Sequence, residues 1–398
     1  MQKTESLPVH CGQCTFEHRH SFTDIPFAYE LPMGSPDIPE AEYVDLKHEP
    51  HTVTHWGQFK LLLGEIEFLA PYVHIPNLSI VYAGSSPGHH LKALVEMMPS
   101  TWEWHMFDER PCEVYSSGKD LLLEKVCGTV SVLYGNGDVP VTPDMEQRMG
   151  AIKAKIRDVE SGAMYMDTRK LAALKNTKVI KREARPNVHV YEYNLGSEIA
   201  RDLFRRCVTR NQTEEDPQLL LISDIRTPFN RISEQSVLKD MDLQLRLVDD
   251  LLPWKATLKF KLPYSDGFSK KTVYIKGSLR YQPYAPRISH ETRLVVGPDL
   301  KTTVAYDIEE YAKRMYHYQT RLRTSLYDLD DPVADPERHP HLVGNNIAVD
   351  HCYDCTLARK IAENFLGTSL GVLDLLEKLA KEVASVQLAC GGGGMLDE

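Results

Sequence analysis

The chain has 398 residues, enough for one large domain with insertions or for two domains. Its 42% apolar content permits a full hydrophobic core, and no apolar run approaches the roughly 20 residues that a membrane-crossing helix needs. A formal net charge of −10 argues against a protein that coats nucleic acid, but leaves room for a short RNA held in a local basic groove.

The opening segment, MQKTESLPVHCGQC, lacks the apolar stretch of a secretory signal, which predicts a soluble intracellular protein. The 8 cysteines are then expected as thiols or metal ligands rather than disulfides. Residues 1–50 read as an extended N-terminal arm, rich in Pro, His and acids. Apolar spacing predicts a helix from Gln58 to Leu69. Strands and helices then alternate. Leu78–Gly84 reads as a buried strand, with a helix starting near His89, and Trp102–Asp108 as a second strand. Asn187–Tyr193 is a third, followed by a helix from Ser197. Gln218–Asp224 is a fourth, followed by an amphipathic helix carrying Val237, Met241, Leu245, Val248 and Leu252. Ala256–Leu262 is a fifth. This alternation predicts an α/β fold built from βαβ units on a parallel sheet.

Past the fifth strand, TVYIKGSLRY and ETRLVV read as strands with no helix between them. Helices from about Tyr306 to Thr324 and from Cys355 to Val386 complete a domain spanning 51–388, and the glycine-rich 389–398 reads as a disordered tail. The stretch at about 116–185 exceeds a normal βα connection and reads as an inserted, partly helical subdomain. It carries the basic cluster Lys153, Lys155, Arg157, Arg169, Lys170, Lys175, Lys178, Lys181, Arg182 and Arg185, which reads equally as a surface for RNA phosphates or as a solvated basic helix.

Within IVYAGSSPGHHL, Gly84, Pro87 and Gly88 fall in the turn after the first strand, at the sheet edge where open α/β proteins bind ligands. Asp108 ends the second strand, where an acid can accept both hydroxyls of a ribose. Set against a plain structural turn, the combination favours a nucleoside cofactor. The absence of a full G-x-G-x-x-G favours S-adenosylmethionine over a nicotinamide dinucleotide.

Four charged residues stand at strand ends or among apolar neighbours: Lys60, Asp224, Lys259 and Glu291. Singly, each is expected to be a solvated surface group. Together they suit methylation of a ribose hydroxyl. So weak an acid needs a base, which a lysine of lowered pKa can provide, with a second lysine and carboxylates to orient it.

The stretches GQFKLLLGEIEFL, IVYAGSSPGHHL, MFDER, LLLISDIR, LKFKLPYSD, QPYAPRISHETRL and EYAKRMYHY occur in one order from Phe27 to about Tyr318. In them the chain resembles the poxvirus-type cap-specific mRNA (nucleoside-2′-O)-methyltransferases, which also serve as poly(A) polymerase stimulatory subunits, and the related kinetoplastid enzymes. The resemblance implies a Rossmann-like S-adenosylmethionine-dependent methyltransferase sheet with flanking helices, and transfer of methyl to a 2′-hydroxyl of a cap-proximal nucleotide. It implies catalytic roles for Lys60, Asp224, Lys259 and Glu291, with Lys259 as the base. Cofactor contacts map to Gln58, Gly84, Gly88, His90, Asp108, Arg110 and Asp224. Cap binding maps to Tyr43 and Tyr264 as stacking rings and to Asp266 as the reader of the base edge.

The chain departs from the family in two places. Ala312 stands where the family has a cap-contacting acid, and the viral members lack so long an insertion. The expected partner is capped mRNA or spliced leader RNA, with no membrane. A composition not enriched in Asn, Ile and Lys points to the nucleus, the cytoplasm being the alternative for a viral protein. The competing reading is a non-catalytic cap-binding or poly(A) polymerase processivity subunit on the same fold, which the presence of all four charged residues disfavours.

Separately, Cys11 with Cys14 and Cys352 with Cys355 each have the spacing of half a zinc site. If the arm meets the C-terminal helices, they could share one structural zinc.

Overall fold

The structure is a computed structural model. It describes residues 19–21, 57–110, 112–116, 121–125, 130–136, 143–165, 178–226, 234–263, 270–285, 289–323, 326–328, 353–366, 378–379, 382–383 and 385.

In chain order, the described elements begin with β1 (Arg19–Ser21), α1 (Gly57–Leu69), β2 (Ser79–Ala83), α2 (Leu91–Met97) and β3 (Glu103–Phe107). The inserted stretch holds β4 (Leu121–Lys125), β5 (Val130–Asn136), α3 (Pro143–Glu160) and β6 (Lys178–Arg182). Then come β7 (Val188–Tyr191), α4 (Ser197–Cys207), β8 (Leu219–Ser223), α5 (Glu234–Leu251) and β9 (Lys255–Phe260). The chain continues through β10 (Lys271–Ile275), β11 (Ser278–Arg280), β12 (Thr292–Val296), β13 (Thr303–Asp307), α6 (Ile308–His317), β14 (Leu326–Asp328) and α7 (Tyr353–Leu366).

Seven strands form the central sheet in the order β11-β12-β9-β8-β2-β3-β7. The five from β9 to β7 run parallel, β12 pairs antiparallel with β9, and β11, antiparallel to β12, returns to the direction of the five. The parallel core follows from composition. SIVYA and LLLIS are largely apolar, and every residue of both strands is buried, as expected of strands covered by helices on both faces. Each apolar side chain so buried contributes about 1.5–3 kcal/mol. The chain leaves β2 for β3 on one side, while β8 lies on its other side. The order therefore reverses between β2 and β8, and a crevice opens at their carboxyl ends. This is a Rossmann-like α/β sheet.

Two expectations need amending. TVYIKGSLRY does not feed one sheet: β10 pairs antiparallel with β13, whereas β11 joins the central sheet. The break falls at Gly277, where a Cβ would sit 2.6 Å from the Val295 carbonyl oxygen, so only glycine lets the chain pass that strand. Tyr306 lies on β13 rather than in a helix, and α6 starts two residues later with the Asp307 carboxylate accepting the Glu310 amide at 3.0 Å. The insertion combines helix α3 with a three-stranded sheet in the order β4-β5-β6.

Candidate active site

The turn after β2 is shaped by close backbone approach. Gly84 has φ +88°, and a Cβ there would lie 2.6 Å from the Asp224 carbonyl carbon. The Gly84 amide donates to the Phe107 carbonyl at 2.8 Å, and the Asp224 amide donates to Ala83 at 2.8 Å. The ends of β2, β3 and β8 are thereby tied into one crevice. Gly88, with φ +75°, could carry a Cβ only 2.7 Å from the Ser85 carbonyl oxygen.

Asp108 stands just past β3 with its side chain 10% exposed. Its carboxylate accepts the Ser86 amide at 3.1 Å and the Arg110 amide at 2.8 Å, and the Arg110 Nε lies 3.3 Å away. A carboxylate has about four lone-pair sites, so this one is oriented yet still able to accept hydroxyl donors. Ser85 Oγ, in the same turn, is buried without a hydrogen-bond partner. Glycines that bring backbone to the crevice, an orphaned hydroxyl and an oriented acid fit the ribose-bearing end of S-adenosylmethionine. Asp108→Ala should weaken its binding measurably in a calorimetric titration; an unchanged affinity would overturn the assignment of Asp108.

Gln58 and His90 lie in a buried network beside this turn. Gln58 Oε1 is 2.9 Å from His90 Nδ1, and His90 Nε2 is 3.1 Å from Glu65. Tyr82 donates to Glu65 at 2.5 Å. Burial first, and then the Glu65 charge, push the Tyr82 hydroxyl pKa well up, so it remains a donor.

The four charged residues picked from sequence converge at the same carboxyl edge. Lys259 Nζ is 3.0 Å from Asp224 Oδ1 and 3.5 Å from Glu291 Oε2, and Lys60 Nζ is 3.1 Å from Glu291 Oε1. Three elements deliver them: Lys60 from α1, Lys259 from β9, and Asp224 from the end of β8. Glu291 immediately precedes β12. Strand β9 outruns its partner at this point, because the β8–β9 register ends at Leu258. The buried Gln244 of α5 takes over the ladder: its amide donates to the Lys259 carbonyl at 2.9 Å and its oxygen accepts the Lys259 amide at 3.0 Å.

Burial lowers the pKa of Lys259 below the ordinary lysine range, although Asp224 and Glu291 pull the other way. At Asp224 and Glu291, burial would raise the carboxyls, but Lys259 and the neighbouring cations outweigh it and hold both well below the carboxylate range. The result is a lysine inclined to release its proton, between two acids that stay ionised.

Residues that sequence reasoning missed complete the cluster. Arg293 reaches Asp224 at 2.5 Å and the Ser223 carbonyl at 3.0 Å, and Arg226, 47% exposed, pairs with Glu291. The Gln282 amide donates to Glu291 Oε1 at 3.1 Å while its oxygen accepts Arg293 Nε at 3.1 Å. A signal for the two arginines was present. Each lies two residues past an acid, in DIR and ETR, where an extended chain returns to the same face.

Other expectations land elsewhere. Tyr43, Tyr264, Asp266, Cys11, Cys14 and Cys352 lie outside the described residues, and Cys355 falls in α7 with its side chain likewise outside them. Among the described residues no cluster of His, Cys, Asp and Glu could hold a metal. Glu309 and Glu310, near Ala312, pair along α6 with Lys313 at 2.9 Å and Arg314 at 2.7 Å. The basic cluster does not stand whole. Arg182 is 0% exposed and pairs with Glu192 at 2.6 Å, while Arg185 pairs with Glu96 and Glu183. Lys153, Lys155 and Arg157 remain exposed on α3. A cavity of about 580 Å³ beside Lys276, Pro298 and Arg314 lies at the opposite edge of the sheet, where Val296 pairs with Ala256 at the start of β9, and takes no part in this chemistry.

Fowlpox virus (strain NVSL) has a cap-specific mRNA (nucleoside-2′-O-)-methyltransferase that is 24% identical over 79% of this chain and 84% of its own length. The protein of that name from Myxoma virus (strain Lausanne) is 24% identical over 76% of this chain and 71% of its own. Among solved structures, human methyltransferase-like protein 13 in complex with SAH covers 70% of this chain and 96% of its own at 11% identity, with a TM-score of 0.22, too low to weigh. The family model described as "Poly A polymerase regulatory subunit" matches residues 32–125 and 200–335, together more than half of the chain and inclusive of all four converging residues. This chain belongs to the poly A polymerase regulatory subunit family.

Proposed function

We infer that the protein is an S-adenosylmethionine-dependent mRNA cap ribose 2′-O-methyltransferase. The observation that carries this reading is the meeting of Lys60, Asp224, Lys259 and Glu291 beside the Gly84 turn, with Lys259 held 3.0 Å from Asp224. When bound, S-adenosylmethionine supplies a methyl group on a positively charged sulfur, an electrophile for an oxygen nucleophile. The chain supplies the rest. A ribose hydroxyl brought to Lys259 gives its proton to the neutral form of the amine, a form that burial favours by lowering the lysine pKa. Asp224 and Glu291 steady the ammonium that forms. Lys60, anchored on Glu291, stands with Arg226 and Arg293 as fixed positive charge against the oxygen as it becomes anionic.

The substrate class proposed is capped mRNA, the substrate named for the viral relatives. Spliced leader RNA and a nuclear site of action are the finer proposal. Purified protein given labelled S-adenosylmethionine should methylate capped RNA and leave uncapped RNA of the same sequence largely unmodified, with the label mapping to a 2′-hydroxyl near the cap. The second reading, a non-catalytic subunit, draws on the family description alone. It wins if capped RNA is bound but never methylated.

A further inference from the structure

Behind the charged centre, a buried series of hydrogen bonds runs from α7 to Glu291. Asp354, near the start of α7, is 1% exposed. Its Oδ2 accepts Arg323 Nε at 2.8 Å, and Arg323 is 0% exposed. Arg323 Nη1 donates to Gln319 Oε1 at 2.9 Å, and Gln319 Nε2 donates to the Ser289 carbonyl at 2.9 Å. Ser289 Oγ accepts the backbone amide of Glu291 at 3.2 Å. A second branch leaves Asp354 through Tyr318, whose hydroxyl lies 3.2 Å from Asp354 Oδ1 and 3.3 Å from the Gln282 carbonyl. The Gln282 side chain then bridges Glu291 and Arg293. Both branches start at one carboxylate and end on one catalytic acid.

Packing alone does not call for this arrangement. A buried Arg–carboxylate pair contributes little more stability than apolar residues of the same volume. A chain of satisfied polar groups instead imposes direction on what it touches. Direction matters here because Ser289–Glu291 is irregular backbone preceding β12, outside the strand ladder. Besides this series, Tyr311 of α6 holds the segment by donating to the His290 carbonyl. Asp354 also lies beyond the residues that the family model matches.

We propose that Asp354 is a positioning residue for this active site: through Arg323, Gln319 and Ser289 it sets where the Glu291 carboxylate stands, and so how Lys259 is held. The inference rests on the catalytic reading of Glu291 and Lys259 given above. Its physical consequence is specific. The Lys259 amine is faced by Asp224 and Arg226 at the end of β8, by Glu291 and Arg293 beside β12, and by Lys60 from α1. Of these only the two acids favour its charged form. Displacing Glu291 leaves burial and the arginines to pull the Lys259 pKa lower still.

Two variants test this. The double variant Arg323→Met with Asp354→Leu removes both buried charges of the pair together, which avoids stranding either one against the other's absence. Gln319→Met cuts the series without touching a charge, and serves if the double variant fails to fold. In a folded variant, cofactor affinity by calorimetry should stay within about twofold, whereas kcat on capped RNA should fall about tenfold. The pH at which the Lys259 amine is half reactive toward an acylating reagent, read at that residue by mass spectrometry, should move down. A folded variant with wild-type kcat and an unmoved Lys259 titration overturns the proposal. A wild type inactive on capped RNA overturns the substrate assignment instead, and the titration, which needs no turnover, still decides the role of Asp354.

Discussion

Replacing Lys259 by alanine should lower the rate of methyl transfer by about 10²–10⁴ while leaving cofactor binding near the wild-type level. The fold should survive. Asp224 keeps Arg293, and Glu291 keeps Lys60 and Arg226, so neither acid is stranded. The glycine and acid expected to meet the cofactor, Gly84 and Asp108, follow β2 and β3 and do not bond to the deleted amine. The pH profile of the wild type follows from the same group. Lys259 accepts a proton only when neutral, and its pKa lies below the ordinary lysine value, so kcat should rise with pH and level off below about 10. The alanine variant should lose that limb. Turnover near wild type, or an unchanged pH profile, would remove Lys259 as the base.

Glu291→Gln is expected to damage stability as well as rate. The Glu291 carboxylate is 4% exposed and touches Lys60, Lys259 and Arg226. Neutralising it leaves Lys60, Lys259 and Arg226 to join Arg293 around Asp224 as the remaining acid. Stranding buried charge in this way costs about 3–5 kcal/mol, which thermal or denaturant unfolding would register directly. The acid dependence should change too. Glu291 and Asp224 have folded pKa values held below their ordinary ones. The stability they contribute is therefore complete above roughly pH 4 and is lost as pH falls toward the folded values. Wild-type protein should weaken on acidification through that range, and the Gln variant should weaken less. Equal slopes would mean that Glu291 is not ionised in the folded state.

What could be read from sequence was whatever is written in local pattern. Runs such as LLLIS and SIVYA announce buried parallel strands, and Gly84 with Asp108 announces a ligand edge, because both signals sit within a few residues. The placements of Lys60, Asp224, Lys259 and Glu291 were legible as odd charges in apolar settings. Their partners were harder to see. Gln244 looks like any polar residue of an amphipathic helix, and its work is visible only once β9 is seen to outrun β8. Arg182 shows the opposite failure. Composition groups it with solvated basic residues, yet it is fully buried against Glu192, because strand β6 carries it inward. The separation of β10 from β11 was hidden for a related reason: a single glycine in an apolar run gives no warning that the two halves serve different sheets.

The order in which the site's parts leave the ribosome has its own consequence. Gly84, Asp108 and Asp224 follow strands made early, whereas Glu291 and Arg293 arrive with β12, and Lys60 must wait 231 residues for the carboxylate it meets. Until β12 adds to β9, Lys60 and Lys259 lack one of their acids, and the outer edge of β9 is open. Pairings so distant in sequence form slowly and expose strand edges while they do. A truncated or slowly synthesised chain would thus fold a cofactor crevice before it has a catalytic centre, and would present β9 as an unpaired edge prone to association. In refolding, cofactor binding should return ahead of methyl transfer.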